Sequence, residues 1–173
     1  MSGPPGSGKS SIARRLAENS PYERAVHMHT DDFYQYIRKG YVSTWLPEAQ
    51  DQNIIVCEAF TASAARYAIG GYEVIVDGII GPWYLEPWIK TVKDGFDIRF
   101  IVLRPNKETT IARALERQRA GVLVTPDVVG NMWHYFSGLE HYEEYVIDTS
   151  TQTIDESAIA IRKLLTGGEM RLK

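Results

Sequence analysis

The segment that most constrains this chain lies almost at its start, where residues 3–10 read GPPGSGKS. It matches the pattern Gly-x-x-x-x-Gly-Lys-Ser/Thr, whose glycines let the backbone curl so that successive N–H groups point at one anion. The helix expected after Lys9 adds the positive end of its dipole. The pattern therefore predicts a phosphate-binding loop, and such a loop normally joins a buried parallel strand to a helix.

Two side chains of this loop have predicted contacts with a nucleoside triphosphate. Lys9 is expected to reach the β and γ phosphates, and the Ser10 hydroxyl is expected to bind Mg²⁺. ATP and Mg²⁺ are therefore the predicted ligands. The predicted ATP-binding residues of the loop are Gly3, Pro4, Pro5, Gly6, Ser7, Gly8, Lys9, Ser10 and Ser11.

The position of the loop is unusual because Met1 and Ser2 alone precede it in this sequence. Loss of a central strand would leave backbone groups of its two neighbours unpaired, at a cost beyond the normal stability of a domain. We therefore expect either that the sequence starts late relative to the natural chain or that another segment fills the position. Four to six apolar residues ahead of Met1 would complete such a sheet.

Composition predicts a single domain over residues 1–173, because 44% hydrophobic residues are enough for one core. A net charge of −3 without a Lys/Arg cluster argues against a nucleic-acid partner. The single cysteine, Cys57, excludes a disulfide framework and favours a reducing cytoplasm. Because the sequence has no run of 18 apolar residues and no signal-peptide pattern, we expect a cytoplasmic protein without membrane contact. The oligomeric state cannot be read from the sequence.

Short apolar strands alternate with helical patterns along the chain. The predicted strands are residues 25–29, 72–76, 98–103 and 145–147. The predicted helices cover about residues 10–19, 47–69, 85–93, 107–119, 126–140 and 153–165. This alternation predicts an α/β fold, in which helices cover both faces of a mostly parallel sheet and ligands bind at the carboxyl ends of the strands.

Carboxylates follow the first two of these predicted strands, in the form of Asp31 and Asp77. A carboxylate such as Asp31 can orient or accept the proton of a hydroxyl that attacks a phosphate. Asp77 is expected to hold Mg²⁺ through water. The alternative is that Asp31 or Asp32 caps the helix that follows. His27 and His29 share one strand face and are expected to be hydrogen-bonded core residues in preference to a metal pair.

The loop at residues 3–10, the sequence DDFY at residues 31–34 and the strand that ends before Gly78 together resemble the P-loop small-molecule kinases. This family includes shikimate, gluconate and uridine kinases and chloramphenicol phosphotransferase. The resemblance extends in order over most of the chain. It implies a P-loop NTPase sheet of five strands in the order 2-3-1-4-5, where strand 1 leads into the loop, and it gives Asp31 the role of base.

The resemblance also implies an arginine-bearing lid between the fourth and fifth strands, here around residues 113–126. Arg117 is the first choice for a catalytic arginine. Arg113, one helical turn earlier, is expected to bind ATP by clamping a phosphate or stacking on the adenine. The alternative for either arginine is a solvated ion pair with Glu108 or Glu116.

These residues predict an ATP-dependent phosphotransferase that transfers the γ-phosphate to a hydroxyl of an unidentified small molecule. The predicted catalytic residues are Lys9, Asp31 and Arg117. The predicted acceptor contacts are Asp31, Phe33, Arg38 and Trp83. Aromatic residues at such spacings also suit a hydrophobic core, so the core remains the alternative for Phe33 and Trp83.

Two other classes of protein use the same loop. A GTPase would need an Asn-Lys-x-Asp sequence to read guanine, but Thr109 stands where the aspartate is required. A regulatory module that binds or hydrolyses the nucleotide without a phosphate acceptor remains the alternative. The Asp31 segment argues against it, because binding alone does not require a carboxylate at that position.

Overall fold

The computed structural model describes residues 1–118 and 125–173, with the side chains of residues 1–116 and 125–173. The helices of this described part are α1 (Lys9–Glu18), α2 (Thr30–Gln35), α3 (Gln50–Ile69), α4 (Glu86–Lys93), α5 (Lys107–Gln118), α6 (Pro126–Tyr135) and α7 (Ile154–Thr166). Its strands are β1 (Ala25–His29), β2 (Glu73–Asp77), β3 (Val102–Leu103) and β4 (Val146–Ile147).

The strands form two parallel pairs, and the first two residues of the chain lie between them. β1 pairs with β2, and β3 pairs with β4. The Met1 amine donates a hydrogen bond to the carbonyl of Val76 over 2.7 Å. On the other side, the Ser2 N–H donates to Ile101 over 2.7 Å, and the Leu103 N–H donates to the Ser2 carbonyl over 2.8 Å.

The resulting order is β1, β2, the segment Met1–Ser2, β3 and β4, which corresponds to the predicted order 2-3-1-4-5. The α/β class with parallel strands is therefore confirmed. As the sequence predicted, the described part of the chain has no strand ahead of the loop: Met1 and Ser2 lie at the central position, but Ser2 forms only an isolated bridge to Val102. Two residues suffice to place the loop, since each of them bonds to a neighbouring strand.

On the side of Met1 that faces away from the phosphate-binding loop, β2 and the segment 97–101 are not hydrogen-bonded to each other. A cavity of about 930 Å³ lies between them, and we call it the central slot. Val74 and Val76 line one edge of the slot, and Arg99 and Ile101 line the other edge. Its floor includes small side chains of α3 such as that of Ala64.

Helices cover both faces of the sheet, as the alternating pattern predicted. On one face, α1 and α7 pack together, and Ile12, Leu16 and Ile161 are buried against Ile75 and Leu103. The core on the other face draws on α3, α4 and the residue that follows α6. Its largest buried side chains are Phe60, Trp88, Phe100, Phe136 and Tyr145.

Several boundaries differ from the sequence-based prediction. The helix predicted over 126–140 ends at Tyr135, before the Ser137-Gly138 turn. The strand predicted over 98–103 is reduced to Val102–Leu103, because Ile98 and Phe100 bond to the antiparallel segment 170–172 instead. Among the described residues, no helix has both the length and the apolar character needed to cross a membrane.

Candidate active site

The phosphate-binding loop depends on three glycines with left-handed backbone conformations. Gly3, Gly6 and Gly8 have φ angles of 138°, 85° and 91°. A Cβ atom on Gly3 would lie 2.2 Å from the carbonyl oxygen of Leu103, and one on Gly6 would lie 2.3 Å from that of Thr110. Only glycine fits at these two positions, so the loop is held tightly against β3 and α5.

Polar groups inside the loop fit a bound phosphate. The Ser7 hydroxyl is buried and has no hydrogen-bond partner among the described residues. Lys9 is also buried, with 8% of its surface exposed, and its Nζ donates to the carbonyl of Pro4 over 3.0 Å. The loop then runs into α1 at Lys9, so the unbonded N–H groups of the first turn face the same region. An anion there would satisfy the orphaned hydroxyl and these N–H groups together.

Asp77 at the end of β2 connects this loop to the neighbouring strand. Its side chain is fully buried, and its Oδ2 accepts a hydrogen bond from the Ser10 hydroxyl over 2.7 Å. His27 donates from Nε2 to Oδ1 over 2.6 Å. Burial opposes ionisation of Asp77, but the hydrogen bonds from His27, His29 and Ser10 outweigh it and hold the pKa of this carboxyl well below its usual range. Asp77 is therefore ionised near neutral pH.

His29 links Asp77 to Asp31. Its Nδ1 lies 3.1 Å from Oδ2 of Asp77, and its Nε2 lies 3.2 Å from Oδ2 of Asp31. Because both carboxylates can only accept, both ring nitrogens carry protons and the imidazole is cationic. The hydrogen bonds to Asp31 and then to Asp77 raise the pKa of His29 to about 10. The same bond from His29 lowers the pKa of Asp31.

Asp31 lies in the first turn of α2, and its side chain is mostly exposed. The residue before this helix is His29, whose side chain makes no capping bond. The capping alternative for Asp31 and Asp32 is therefore not what the structure shows, since both residues lie inside the helix. The exposed carboxylate of Asp31 remains accessible to a ligand while His29 fixes its direction.

The pair Ser10 and Asp77 fits a magnesium ion held partly through water. Hydroxyl and carboxylate oxygens are the ligands that Mg²⁺ prefers, and Mg²⁺ usually keeps several waters. Asp77 already accepts three hydrogen bonds, which leaves little room for direct coordination. In the described part of the chain, no group of three or more His, Cys, Asp or Glu side chains forms a metal site of its own.

The arginines of the predicted lid are only partly described. Arg113 donates from Nη2 to the carbonyls of Thr149 and Gln152 over 3.1 and 3.2 Å, in the loop that follows β4. Position 117 belongs to α5, but the Arg117 side chain lies outside the described residues. The predicted lid at 113–126 includes residues 119–124, which also lie outside them.

The three remaining predicted acceptor contacts, Phe33, Arg38 and Trp83, differ in their surroundings. Phe33 packs edge-on against Phe60 of α3, with ring centroids 5.0 Å apart, and so contributes to the core. Trp83 packs against Phe136 at 5.7 Å and keeps 47% of its surface exposed. Arg38 is exposed. For Phe33, the core alternative describes the contacts better than the pocket prediction.

The sequence predicted hydrogen bonds for His27 and His29, but it did not identify Asp77 and Asp31 as their partners. The sequence shows His27 and His29 at alternate positions of one strand, and it shows Asp77 at the end of the next strand. The missing information was the register, which places His29 directly beside Asp77 in the parallel pair. Adjacent positions on neighbouring parallel strands bring side chains on one face into contact.

Comparison with known proteins identifies a family and a fold for this chain. The sequence model of the AAA domain matches residues 1–130, which is most of the chain. None of the curated proteins matches the sequence.

Solved structures of several proteins share the fold. A chain of the Pnkp1/Rnl/Hen1 RNA repair complex matches with a TM-score of 0.64 at 20% identity. The match covers 83% of the present protein but only 45% of the repair-complex chain. The tunicamycin resistance protein of Deinococcus radiodurans has a TM-score of 0.67 at 18% identity, covering 99% of this chain and 95% of that one. A gluconokinase from Sinorhizobium meliloti 1021 has a TM-score of 0.62 at 19% identity, with 97% and 95% covered. The predicted P-loop kinase fold is thereby confirmed.

Proposed function

Because the chain belongs to the AAA-domain family and has the fold of P-loop kinases, we propose that it is an ATP-dependent phosphotransferase. In this proposal it transfers the γ-phosphoryl group of ATP to a hydroxyl group of a small molecule. The alternative, a nucleotide-binding or hydrolysing module without an acceptor, uses the same loop and is separated from it by the experiment below.

The observation that carries the proposal is the hydrogen-bonded chain from Ser10 through Asp77 and His29 to Asp31. It connects the residue after the loop lysine to an exposed carboxylate at the end of β1. A protein that merely held a nucleotide would need the loop and Asp77, but it would gain nothing from a second carboxylate aligned with them. A transferase needs such a carboxylate to receive the acceptor.

Each residue of the candidate site has a defined part in the proposed reaction. Lys9 and the loop N–H groups bind the β and γ phosphates and stabilise the charge that the leaving oxygen develops. Asp31 accepts a hydrogen bond from the acceptor hydroxyl and aims its oxygen at the γ-phosphorus. Since His29 lowers the pKa of Asp31, this carboxylate is a weak base that orients the hydroxyl first and takes its proton late. Arg117 is proposed to reach the transferred group from α5.

Ser10 and Asp77 are proposed to hold Mg²⁺, Ser10 directly and Asp77 through water. Bound there, the ion would neutralise charge on the β and γ phosphate oxygens. Arg113 is proposed to lie beside the adenine, because the carbonyls that it binds belong to the loop after β4, at the same sheet edge as the phosphate-binding loop.

A panel assay tests this function. ADP release is measured with nucleosides, sugars, sugar acids, aminoglycosides and phenylpropanoid antibiotics as acceptors, for the native protein and for Asp31→Asn and Lys9→Ala. We expect one acceptor class to accelerate ADP release, Asp31→Asn to lose that acceleration while still binding ATP, and Lys9→Ala to lose turnover altogether.

Two outcomes would contradict the proposal. ATP turnover that needs no acceptor and is unchanged in Asp31→Asn would favour the regulatory module. Native activity in Lys9→Ala would show that the site has been placed wrongly. Asp32→Asn serves as the matched control, because Asp32 lies in the same helical turn and makes none of the hydrogen bonds of the Asp31 chain.

A further inference from the structure

We propose that the outer face of α3 is a self-association surface, on which a second copy of this chain packs its own α3 in antiparallel orientation about a two-fold axis at Ala62. This inference does not depend on the proposed function. It follows from the exposure of an apolar stripe on α3, from the placement of the two charges within that stripe and from the small residues at its centre.

α3 is apolar on two opposite faces. Its inner face is buried and carries Val56, Phe60 and Ala64. Because an α-helix has 3.6 residues per turn, residues spaced by three, four and seven positions share a face, and a second such set lies on the outside of α3. We call this set the outer stripe, and its residues are Ile55, Glu58, Ala59, Ala62, Arg66 and Ile69.

The outer stripe is exposed although most of it is apolar. All six of its residues are exposed, and Ile55 and Ile69 keep 64% and 69% of their surface accessible. A helix that packs one face on a core normally presents charged and polar residues on the other face. Over residues 52–69, however, the only charged residues are Glu58 and Arg66. A continuous exposed apolar surface of this kind indicates an interaction site.

The outer stripe is symmetric about Ala62. Ile55 and Ile69 lie seven residues before and after it, and Glu58 and Arg66 lie four residues before and after it. A two-fold axis through Ala62, at right angles to the helix, therefore brings Ile55 onto the partner's Ile69. The same axis brings Glu58 onto the partner's Arg66. Each contact occurs twice, as in any interface that joins identical surfaces, so the stripe is complementary to itself.

The two charges select both the partner and the antiparallel orientation. Glu58 and Arg66 lie about 12 Å apart along the helix axis, too far to pair within one chain. Neither forms an ion pair with another residue in the described part of the chain. In the antiparallel dimer each of them faces the opposite charge. In a parallel dimer equal charges would face each other, which opposes that arrangement.

The centre of the outer stripe permits close packing of the two helices. Ala59 and Ala62 carry the smallest apolar side chains, so the helix axes can approach to about 8 Å, the lower end for packed helices. Ile55 and Ile69 then pack at both ends of a contact about 21 Å long. A single pair of helices forms a small interface, and small interfaces are typical of weak complexes. We therefore expect a dissociation constant in the micromolar range.

Sedimentation equilibrium over a range of protein concentrations tests this proposal. We expect the native chain to dimerise, and we expect Ala62→Glu to stay monomeric because it places two carboxylates at the axis. Glu58→Arg should raise the dissociation constant by at least about tenfold, since two pairs of arginines then face each other. The double variant Glu58→Arg/Arg66→Glu exchanges the charges and should return the constant to within about threefold of the native value.

Ile69→Arg and Ile159→Arg form a matched pair, because the two isoleucines are 69% and 71% exposed and Ile159 lies on α7. Ile69→Arg should weaken the dimer by at least about tenfold, whereas Ile159→Arg should leave it unchanged. Thermal unfolding checks that every variant is folded. A native chain that stays monomeric at all concentrations overturns the proposal, and the stripe would then serve a different partner. A dimer that survives Ala62→Glu, or that the exchange of charges does not restore, overturns it equally.

Discussion

At the residue scale, the site depends on positions where the backbone accepts only one residue type. Gly6 is the clearest case, because it combines a φ of 85° with a Cβ position 2.3 Å from the carbonyl oxygen of Thr110. The first factor costs any L residue roughly 1 kcal/mol. The second forces the loop or α5 to move.

Gly6→Ala is therefore expected to lower the free energy of unfolding by more than about 2 kcal/mol and to abolish ATP binding. Gly168→Ala is the matched control, because Gly168 has a φ of 84° and open space around its Cβ position. It should lose only about 1 kcal/mol and keep ATP binding. Urea denaturation and ATP titration measure the two effects, and equal losses in both variants would refute the steric argument.

His29 allows a second test at this scale, because its two nitrogens bind different carboxylates. His29→Gln extends an amide towards Asp31, while His29→Asn places one near Asp77 only. We expect kcat with the accepted substrate to fall about tenfold or more in His29→Asn and clearly less in His29→Gln, since hydrogen bonds to charged groups contribute about 1.5–3 kcal/mol. Equal kcat values for both variants would show that the bond to Asp31 is unimportant.

At the scale of elements, α7 supports the site through α1. Thr153 and Glu156 form a capping box at its start, in which Thr153 accepts from the Glu156 N–H over 3.2 Å and Glu156 accepts from the Thr153 N–H over 2.8 Å. Further along α7, Arg162 donates to the carbonyl of Leu16 near the end of α1. The cap therefore stabilises the helix that holds α1 in place.

Thr153→Ala should lower the free energy of unfolding by about 1 kcal/mol, and Thr153→Ser should cost much less because it keeps the hydroxyl. Thermal unfolding of the two variants beside the native protein measures this. A loss of the same size in both would mean that the Thr153 methyl group, not the cap, stabilises α7.

Elements defined by local patterns were predicted well from the sequence. α1, α3, α4, α5 and α7 lie close to their predicted bounds, because helical spacing and caps are local signals. Strand lengths and partners were less predictable. The reduction of β3 to two residues depends on the C-terminal segment, which lies far away in the sequence and takes up the bonds of Ile98 and Phe100.

At the scale of the whole molecule, the buried Met1 amine makes stability depend on pH. Its pKa falls from 8.0 to about 6 on folding, mainly through desolvation. Between these values the unfolded chain binds more protons than the folded one, so this group makes the protein more stable as pH rises. Below pH 6 the buried amine lowers the free energy of unfolding by its full amount, roughly 2 to 3 kcal/mol, and above pH 8 it no longer lowers it.

His29 acts in the opposite direction, since its pKa rises to about 10 on folding and its contribution is lost towards that pH. Comparison with Nα-acetylated protein isolates the amine, because acetylation removes the charge and keeps the N–H. The stability advantage of the acetylated form should grow as pH falls from 8 to 6, as measured by urea denaturation. A constant difference across this range would show that the amine is not buried as described.

The sequence by itself determined the phosphate-binding loop, the α/β class and the two carboxylates at strand ends, because each is encoded in a short stretch of neighbouring residues. Tertiary structure alone decided what these pieces contact. Register placed His29 between Asp31 and Asp77, and Phe33 is partly buried where it packs against Phe60 of the core. Two residues of the chain, Met1 and Ser2, took the central position because hydrogen bonds from both neighbouring strands were available to them. Such contacts join residues far apart in the chain, so no local pattern encodes them.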